Sequence, residues 1–225
     1  METLILKGKA VADKINQTTR ETIDREGLKP CLVVILIGED PASEYYVSNI
    51  VKQGNKNGID VQLRKYQSMS QSELVDIINE LNHNDSVSGI MLQKPLPKGI
   101  DEDYINNLID PAKDVDGFNP LNAGYLYLEQ DCFIPCTAES VLEIIRHYGI
   151  QTESKHIVVI GRSNIVGKPA ANLFLHKSAT GNATVTVCHS KTKNIELFTS
   201  LADIIVAAVG KANMIKKDMI KEGCI

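Results

Sequence analysis

The sequence contains no tryptophan, few other aromatic residues and no long apolar segment. Aromatic residues make up 5% of its 225 residues, whereas charged residues make up 23%. No run approaches the roughly 18 consecutive apolar residues that a transmembrane helix requires. The N-terminal sequence METLILKGKAVADKI has neither a long apolar core nor a small-residue cleavage site, so we expect no secretory signal.

The chain also lacks a strong excess of charge and any C-x-x-C pair. Its formal net charge of −4 gives no basic footprint for nucleic acid or for a membrane surface. The five cysteines are odd in number. Cys132 and Cys136 have no further paired ligands beside them, and we therefore expect no metal site. These features together predict a reduced, cytosolic protein.

What the sequence does contain is an alternation of short β-branched segments with amphipathic helices. The predicted strands are 31–37, 61–66, 87–92, 157–160, 183–187 and 203–209. The predicted helices are 9–26, 43–57, 71–81 after a capping box at Ser70 and Glu73, 101–109, a helix capped by Thr137 and ended by Gly149, 167–175 and 214–222. This alternation predicts the α/β class, with parallel sheets covered on both faces.

Loop signals cluster between residues 110 and 140, so we expect two domains, 1–138 and 139–225, that face one ligand cleft. Parallel sheets of this kind bind ligands at the carboxyl ends of their strands. The chain stops at Cys224 and Ile225, where a fourth strand of the second sheet would begin. We therefore expect a further C-terminal segment in the complete protein.

The segment HIVVIGRSNIVGKPAANLFLHK (156–177) combines a strand, a small-residue turn and a helix. This arrangement presents free backbone N–H groups and the positive end of a helix dipole to a phosphate. Its spacing, Gly-x-Ser-x-x-x-Gly from Gly161 to Gly167, differs from the common dinucleotide fingerprint. A plain turn of a buried sheet is equally compatible with this segment alone.

The end of the next predicted strand favours NADP over NAD. An NAD site usually has Asp or Glu there to bind the ribose hydroxyls. This chain has Ser190 and Lys191 instead, and Arg162 lies in the first turn. Such groups suit a 2′-phosphate, which a carboxylate would repel. The alternative is an ordinary surface Ser-Lys pair.

Several motifs together resemble the bifunctional methylenetetrahydrofolate dehydrogenase/methenyltetrahydrofolate cyclohydrolase family. They are GEDPAS (38–43), YV (46–47), LQKPLP (92–97), PAKDVDGFNPLNAG (111–124), PCT (135–137), VVIGRSNIVGKPAANLFL (158–175), ATVTVCHS (183–190) and ADIIVAAVGKANMIKKDMIKEG (202–223). The resemblance implies a folate-binding catalytic domain, a Rossmann-like NADP-binding domain and a homodimer. It also implies oxidation of 5,10-methylenetetrahydrofolate by NADP and hydrolysis of the product to 10-formyltetrahydrofolate.

The resemblance assigns five residues to the folate site. Tyr46 matches the tyrosine that stacks on the folate ring, and Gln93 matches the glutamine that orients a catalytic lysine. Asp116 matches the aspartate that accepts hydrogen bonds from the pterin amino group. These three are the predicted catalytic residues, and Leu92 and Lys94 join them in substrate binding. Without the resemblance, Tyr46 could be a core tyrosine and Asp116 an ordinary turn residue.

On the cofactor side, the resemblance assigns the NADP contacts to Gly161, Arg162, Ser163 and Ser190. Lys191 stands where the family commonly has arginine, so the positive charge is retained and the bidentate fork is lost. This assignment agrees with the preference for NADP that was argued from the residues.

The main departure from the family lies four residues after Tyr46, where the catalytic lysine is replaced by Ile50. An aliphatic side chain cannot donate a hydrogen bond or move a proton. Lys52 points about 200° round the helix from position 50. Pairing Tyr45 with Lys52 would place both on one helix face, but it breaks the alignment.

Lesser departures are Asn119 for histidine, Ala138 and Ser140 for proline and glycine, and the absence of a C-terminal Pro-Gly-Gly-Val-Gly-Pro segment. We therefore expect an NADP-dependent dehydrogenase whose cyclohydrolase activity is impaired. The alternative is a catalytically silent paralogue that binds folate or the nucleotide.

Overall fold

The computed structural model describes residues 3–225 and divides the chain into two compact units. The N-terminal unit is Lys7–Asn122, and the C-terminal unit is Ala123–Ile225 together with residues 3–6. This division falls earlier in the chain than the predicted boundary at 138. Which unit binds folate and which binds the nucleotide stays a prediction.

The N-terminal unit contains one parallel three-stranded sheet in the order β2-β1-β3. Its elements are α1 (Gly8–Glu26), β1 (Cys31–Ile37), α2 (Pro41–Lys56), β2 (Asp60–Tyr66), α3 (Gln71–Asn82), β3 (Gly89–Leu92) and α4 (Glu102–Leu108), and α5 (Pro120–Tyr127) spans the boundary of the units. Ile35 is paired with Leu92, and Ile37 is paired with Tyr66. The carboxyl ends of the three strands therefore lie at one edge of the sheet.

The central strand β1 is buried on both faces, as its continuous apolar sequence predicts. Val33 and Ile35 pack on one face with Leu74, Ile78 and other residues of α3 and α4. Val34 and Leu36 pack on the other face with Val47 of α2. The sheet is thus fixed between helices, and the loops at its carboxyl edge have a rigid base.

The C-terminal unit repeats this architecture with a sheet in the order β5-β4-β6, again entirely parallel. Its elements are α6 (Cys136–His147), β4 (His156–Ile160), α7 (Gly167–Leu175), β5 (Thr184–Cys188), α8 (Glu196–Thr199) and β6 (Ile204–Ala207). Ile157 and Val159 pack against Phe174 on one face. Val158 and Ile160 pack against Ala202 on the other. The α/β class and the parallel sheets predicted from the sequence are confirmed.

Local hydrogen bonds account for the starts of α2 and α3. The helix α2 begins at Pro41, two residues before the predicted start at Ser43. The Asp40 side chain accepts a hydrogen bond from the Ser43 amide at 2.8 Å and caps α2. At α3 the capping box is present, since Ser70 Oγ accepts from the Glu73 amide and Glu73 Oε2 accepts from the Ser70 amide. These contacts involve residues three apart, so they can be predicted from spacing alone.

Two predictions about helices were wrong. Thr137 does not cap α6, because the helix begins at Cys136 and Thr137 lies inside it. The predicted helix over 214–222 is only a 3-10 turn at Lys217–Met219, because the backbone is extended at Lys216 and Ile220. The helices α5 and α8 were not predicted. Within residues 3–225, no helix combines the length and the apolar character needed to cross a bilayer.

Candidate active site

The first group of predicted site residues lies at the exit of β3 in the N-terminal unit. Gln93 follows the strand directly, and its amide donates to the Ile35 carbonyl at 2.9 Å. Its side-chain Nε2 donates to the Lys94 carbonyl at 2.6 Å. Gln93 Oε1 is buried and has no hydrogen-bond partner among the described residues. A buried acceptor without a partner is uncommon in folded proteins, and it marks a point where a ligand donor can bind.

The segment around Asp114 extends this edge of the sheet. The Ile90 amide donates to the Lys113 carbonyl at 2.7 Å, and Ile90 forms a parallel bridge with Asp114. Lys113 Nζ donates to three carbonyls, at 2.8–2.9 Å, which are those of Leu81, Asn82 and Asn84. This pairing brings Asp116 to the end of β3, beside Gln93 and Lys94.

Asp114 itself has a structural role. It is buried, and its Oδ2 accepts from the Asn119 amide at 2.7 Å and from Asn122 Nδ2 at 3.0 Å. Asn119 Nδ2 in turn donates to the Ile109 carbonyl at 2.9 Å. The residue that replaces the family's histidine therefore helps to fix this loop. No cluster of three or more His, Cys, Asp or Glu side chains suited to a metal occurs in the described part of the chain.

Asp116 is the predicted site residue whose ionisation is perturbed. Its pKa rises from 3.8 to about 6, chiefly because burial disfavours the charged form and secondly because the Asp114 carboxylate is close. The charge of Lys94 acts in the opposite direction and lowers the pKa. Asp116 is thus an acceptor whose charge depends on pH near the neutral range.

Lys94 is held by two side chains that were not among the predicted site residues. Its Nζ lies 2.5 Å from Glu102 Oε1 of α4 and 4.1 Å from the centroid of the Phe118 ring. Leu92 is buried in the core beneath. Neither contact is predictable from spacing, although Phe118 belongs to the quoted motif around Asp116.

Tyr46 and Ile50 lie one helical turn apart on α2, which begins at the carboxyl end of β1. Tyr46 is 55% exposed, so its ring is available to a ligand. Ile50 is half-buried and packs against the cluster of Val34, Leu36, Val47 and Val61. Tyr45 and Lys52 are both exposed. Position 50 therefore contributes to the core and offers no hydrogen-bond donor.

The second group lies at the carboxyl edge of the sheet in the C-terminal unit. Gly161 has φ +123°, and a Cβ there would overlap the Ala208 carbonyl. A Cβ at Gly167 would overlap the Gly161 carbonyl oxygen and the Arg162 amide nitrogen. Both positions therefore need glycine, and the turn between them is packed backbone against backbone.

The predicted nucleotide contacts converge at this edge. Ser163 Oγ accepts from the Val166 amide at 3.2 Å, which holds the turn before α7. Ile160 of β4 is paired with Cys188 of β5. Arg162 and Ser163 therefore leave the sheet beside Ser190 and Lys191, and all four are exposed. The Lys191 amide donates to His189 Nδ1 at 3.2 Å and fixes the second loop.

The parallel architecture and the packed glycine turn define a protein of the nucleotide-binding α/β class. Residues 6–116 match the catalytic domain of tetrahydrofolate dehydrogenase/cyclohydrolase, and residues 135–225 match the NAD(P)-binding domain of the same enzymes. The chain belongs to the tetrahydrofolate dehydrogenase/cyclohydrolase family. The resemblance described from the motifs is thereby confirmed.

Curated relatives and solved structures agree with this assignment. The bifunctional protein FolD of Chlorobium chlorochromatii is 47% identical over 229 residues, which cover 99% of this chain and 78% of the relative. The FolD enzyme of Campylobacter jejuni has a TM-score of 0.93 at 44% identity, covering 99% of this chain and 79% of that one. The Trypanosoma brucei enzyme, solved with NADP and an inhibitor, has a TM-score of 0.89 at 32% identity, covering 98% and 76%.

Proposed function

We propose that this chain oxidises 5,10-methylenetetrahydrofolate to 5,10-methenyltetrahydrofolate with NADP, and that hydrolysis to 10-formyltetrahydrofolate is its weaker activity. The observation that carries the proposal is that the chain retains polar acceptors at the exit of β3 together with the packed glycine turn after β4. Family membership connects these two features to folate and to a nicotinamide nucleotide.

On the folate side, three side chains have separate tasks. Tyr46 offers an exposed ring on which the folate ring system stacks. Asp116 accepts hydrogen bonds from the pterin amino group, and the ionised carboxylate is the better acceptor because neither of its oxygens carries a proton. Gln93 Oε1 accepts a further donor, and this contact relieves its lack of a partner. Lys94 completes the substrate contacts around Gln93, and Leu92, whose side chain is buried in the core, contributes through its backbone.

On the nucleotide side, the turn from Gly161 to Gly167 lets a phosphate approach the backbone closely. Arg162, Ser163, Ser190 and Lys191 supply hydroxyl groups and positive charge, and none of them is an acid. This donor set fits the 2′-phosphate of NADP. NADP, when bound, accepts the hydride, and the protein contributes by binding and orienting both reactants.

The two activities place different demands on position 50. Hydride transfer depends chiefly on how the donor and acceptor are positioned, whereas hydrolysis needs a group that moves a proton to or from water. Ile50 has no such group, and its side chain is occupied in packing. Dehydrogenase activity is therefore retained and hydrolysis is weakened.

A second candidate function is that of a silent paralogue that binds folate and the nucleotide without turnover. The observation that favours it is the same aliphatic residue at position 50. Two absorbance assays on the unmodified protein separate the candidates. NADP-dependent formation of the methenyl product supports the proposed enzyme, whereas tight binding of folate without turnover supports the silent paralogue.

Three further features belong to the proposal. Residues 1–138 bind folate and residues 139–225 bind NADP. The chain forms a homodimer, which light scattering would contradict if it gave a monomeric mass. The protein works in the cytoplasm, in one-carbon metabolism that supplies purine biosynthesis. No disulfide joins the five cysteines, all of which lie in the described residues, and this agrees with a reducing compartment.

A further inference from the structure

Lys94 is held more firmly than a lysine at the end of a strand needs to be. Its side chain is only 23% exposed, and its ammonium is in contact with both a carboxylate and an aromatic ring. Fixing a lysine side chain costs rotamer entropy. The ion pair with Glu102 and the cation–π contact with Phe118 must offset that loss.

These two contacts join three parts of the N-terminal unit. Lys94 follows β3, Glu102 lies in the first turn of α4, and Phe118 lies two residues after Asp116. The hydrogen bond from Gln93 Nε2 to the Lys94 carbonyl fixes the backbone at the same point. The Lys94 side chain therefore adds a contact between the Asp116 loop and the exit of β3, beyond the pairing of Ile90 with Asp114.

The surroundings of Asp116 explain why a nearby positive charge matters. Burial and the Asp114 carboxylate both favour the protonated form of Asp116, and Lys94 is the group that opposes them. Asp114 is bonded to amide donors of Asn119 and Asn122 rather than to a cation.

We propose that Lys94 is a positioning residue for Asp116: its ammonium, held between Phe118 and Glu102, joins the Asp116 loop to the exit of β3 and places a positive charge near the Asp116 carboxylate. The role of that carboxylate in folate binding rests on the proposed function. The effect of Lys94 on the carboxylate itself is a property of the protein without any ligand.

The first test is therefore made on the free protein. The carboxyl carbon of Asp116 is followed by NMR against pH in protein labelled with ¹³C-aspartate, and the D116N variant identifies its signal. In K94M and K94Q the midpoint moves to higher pH, whereas in K94R it stays near that of the unmodified protein. K98M removes a charge from an exposed lysine in the same loop and serves as the matched control.

The second test measures kcat/KM for methylenetetrahydrofolate at pH 6 and pH 8. We expect kcat/KM at pH 6 divided by kcat/KM at pH 8 to fall about twofold or more in K94M, because a higher midpoint lowers the ionised fraction of Asp116 at pH 6. In K94R this ratio should be unchanged. A change in packing alone would lower both values equally and leave the ratio unchanged.

The two tests distinguish the failure of either proposal. If the NMR midpoint is the same in K94M, K94Q and the unmodified protein, or if K98M moves it as far, the role of Lys94 is refuted. If the midpoint moves as expected but the unmodified protein shows no turnover at any pH, the proposed function fails and the role of Lys94 stands.

Discussion

The replacement Ile50→Lys tests the proposed balance between the two activities. Ile50 is half-buried on the cluster formed by Val34, Leu36 and Val47. The aliphatic stem of a lysine can cover much of that surface while its ammonium reaches water or a ligand. We therefore expect a loss of about 1 kcal/mol in the free energy of unfolding, with a fall in Tm of about 2–4 °C.

The expected effect on catalysis is larger and selective. A positioned group that moves a proton in the transition state typically contributes about 10²- to 10⁴-fold. Ile50→Lys should therefore raise the hydrolysis of methenyltetrahydrofolate by a factor in that range. The dehydrogenase rate should change by less than about tenfold, because it depends chiefly on positioning.

Both rates are measured by the absorbance of the methenyl compound, one as its NADP-dependent formation and the other as its decay. Asn49→Lys adds the same charge at the neighbouring exposed position and should leave hydrolysis unchanged. Efficient hydrolysis by the unmodified protein would refute the reasoning about position 50. So would an Ile50→Lys protein that is folded and oxidises its substrate but hydrolyses no faster.

Two further predictions concern local backbone geometry. Gly167→Ala should weaken NADP binding at least about tenfold in calorimetric titration, because the added Cβ overlaps the Gly161 carbonyl and the turn must shift. Gly210→Ala, which has open space around its Cβ, should bind NADP as tightly as the unmodified protein. If Gly167→Ala also binds as tightly as the unmodified protein, the turn is not the binding element. Ser70→Ala should lower the free energy of unfolding by about 1 kcal/mol through loss of the capping box. Ser72→Ala, at an exposed position inside α3, should leave the free energy of unfolding unchanged. An unchanged Tm in both variants would show that the cap contributes nothing.

The sequence predicts those parts of the fold that depend on local chemistry. The bounds of β1 agree with the prediction because an unbroken apolar run between a proline and a glycine has one simple interpretation. The turn at Gly161 and Gly167 is packed backbone against backbone, as its small residues predict, and its role in binding the nucleotide stays a prediction.

The parts that sequence reasoning missed depend on contacts between distant segments. The region 214–222 has apolar residues at helical spacing, yet Met214 and Ile215 pack against the core through a chain that is extended at Lys216. Tertiary contacts overrode the helical pattern here. Likewise, α5 begins beside Asn119, whose side chain bonds to the Leu121 amide and to the Ile109 carbonyl. Hydrophobic periodicity in the sequence does not predict a helix start of this kind.

The same limit applies to the candidate site. Asp116 was identified through its motif, but its raised pKa depends on burial, on Asp114 and on Lys94. The contact of Lys94 with Glu102 crosses to another helix, and its contact with Phe118 crosses to the Asp116 loop. A motif predicts which residue types are present, whereas their protonation depends on neighbours that only the fold supplies.

Two observations in the N-terminal unit have one explanation. Gln93 Oε1 is a buried acceptor without a partner among the described residues, and position 50 carries an aliphatic side chain where the family has a lysine. The family resemblance pairs that glutamine with that lysine. Because Ile50 completes a packed cluster, the fold does not require the lysine, and the acceptor is left for a ligand. We therefore predict that the single change at position 50 weakens hydrolysis while folding and hydride transfer are retained.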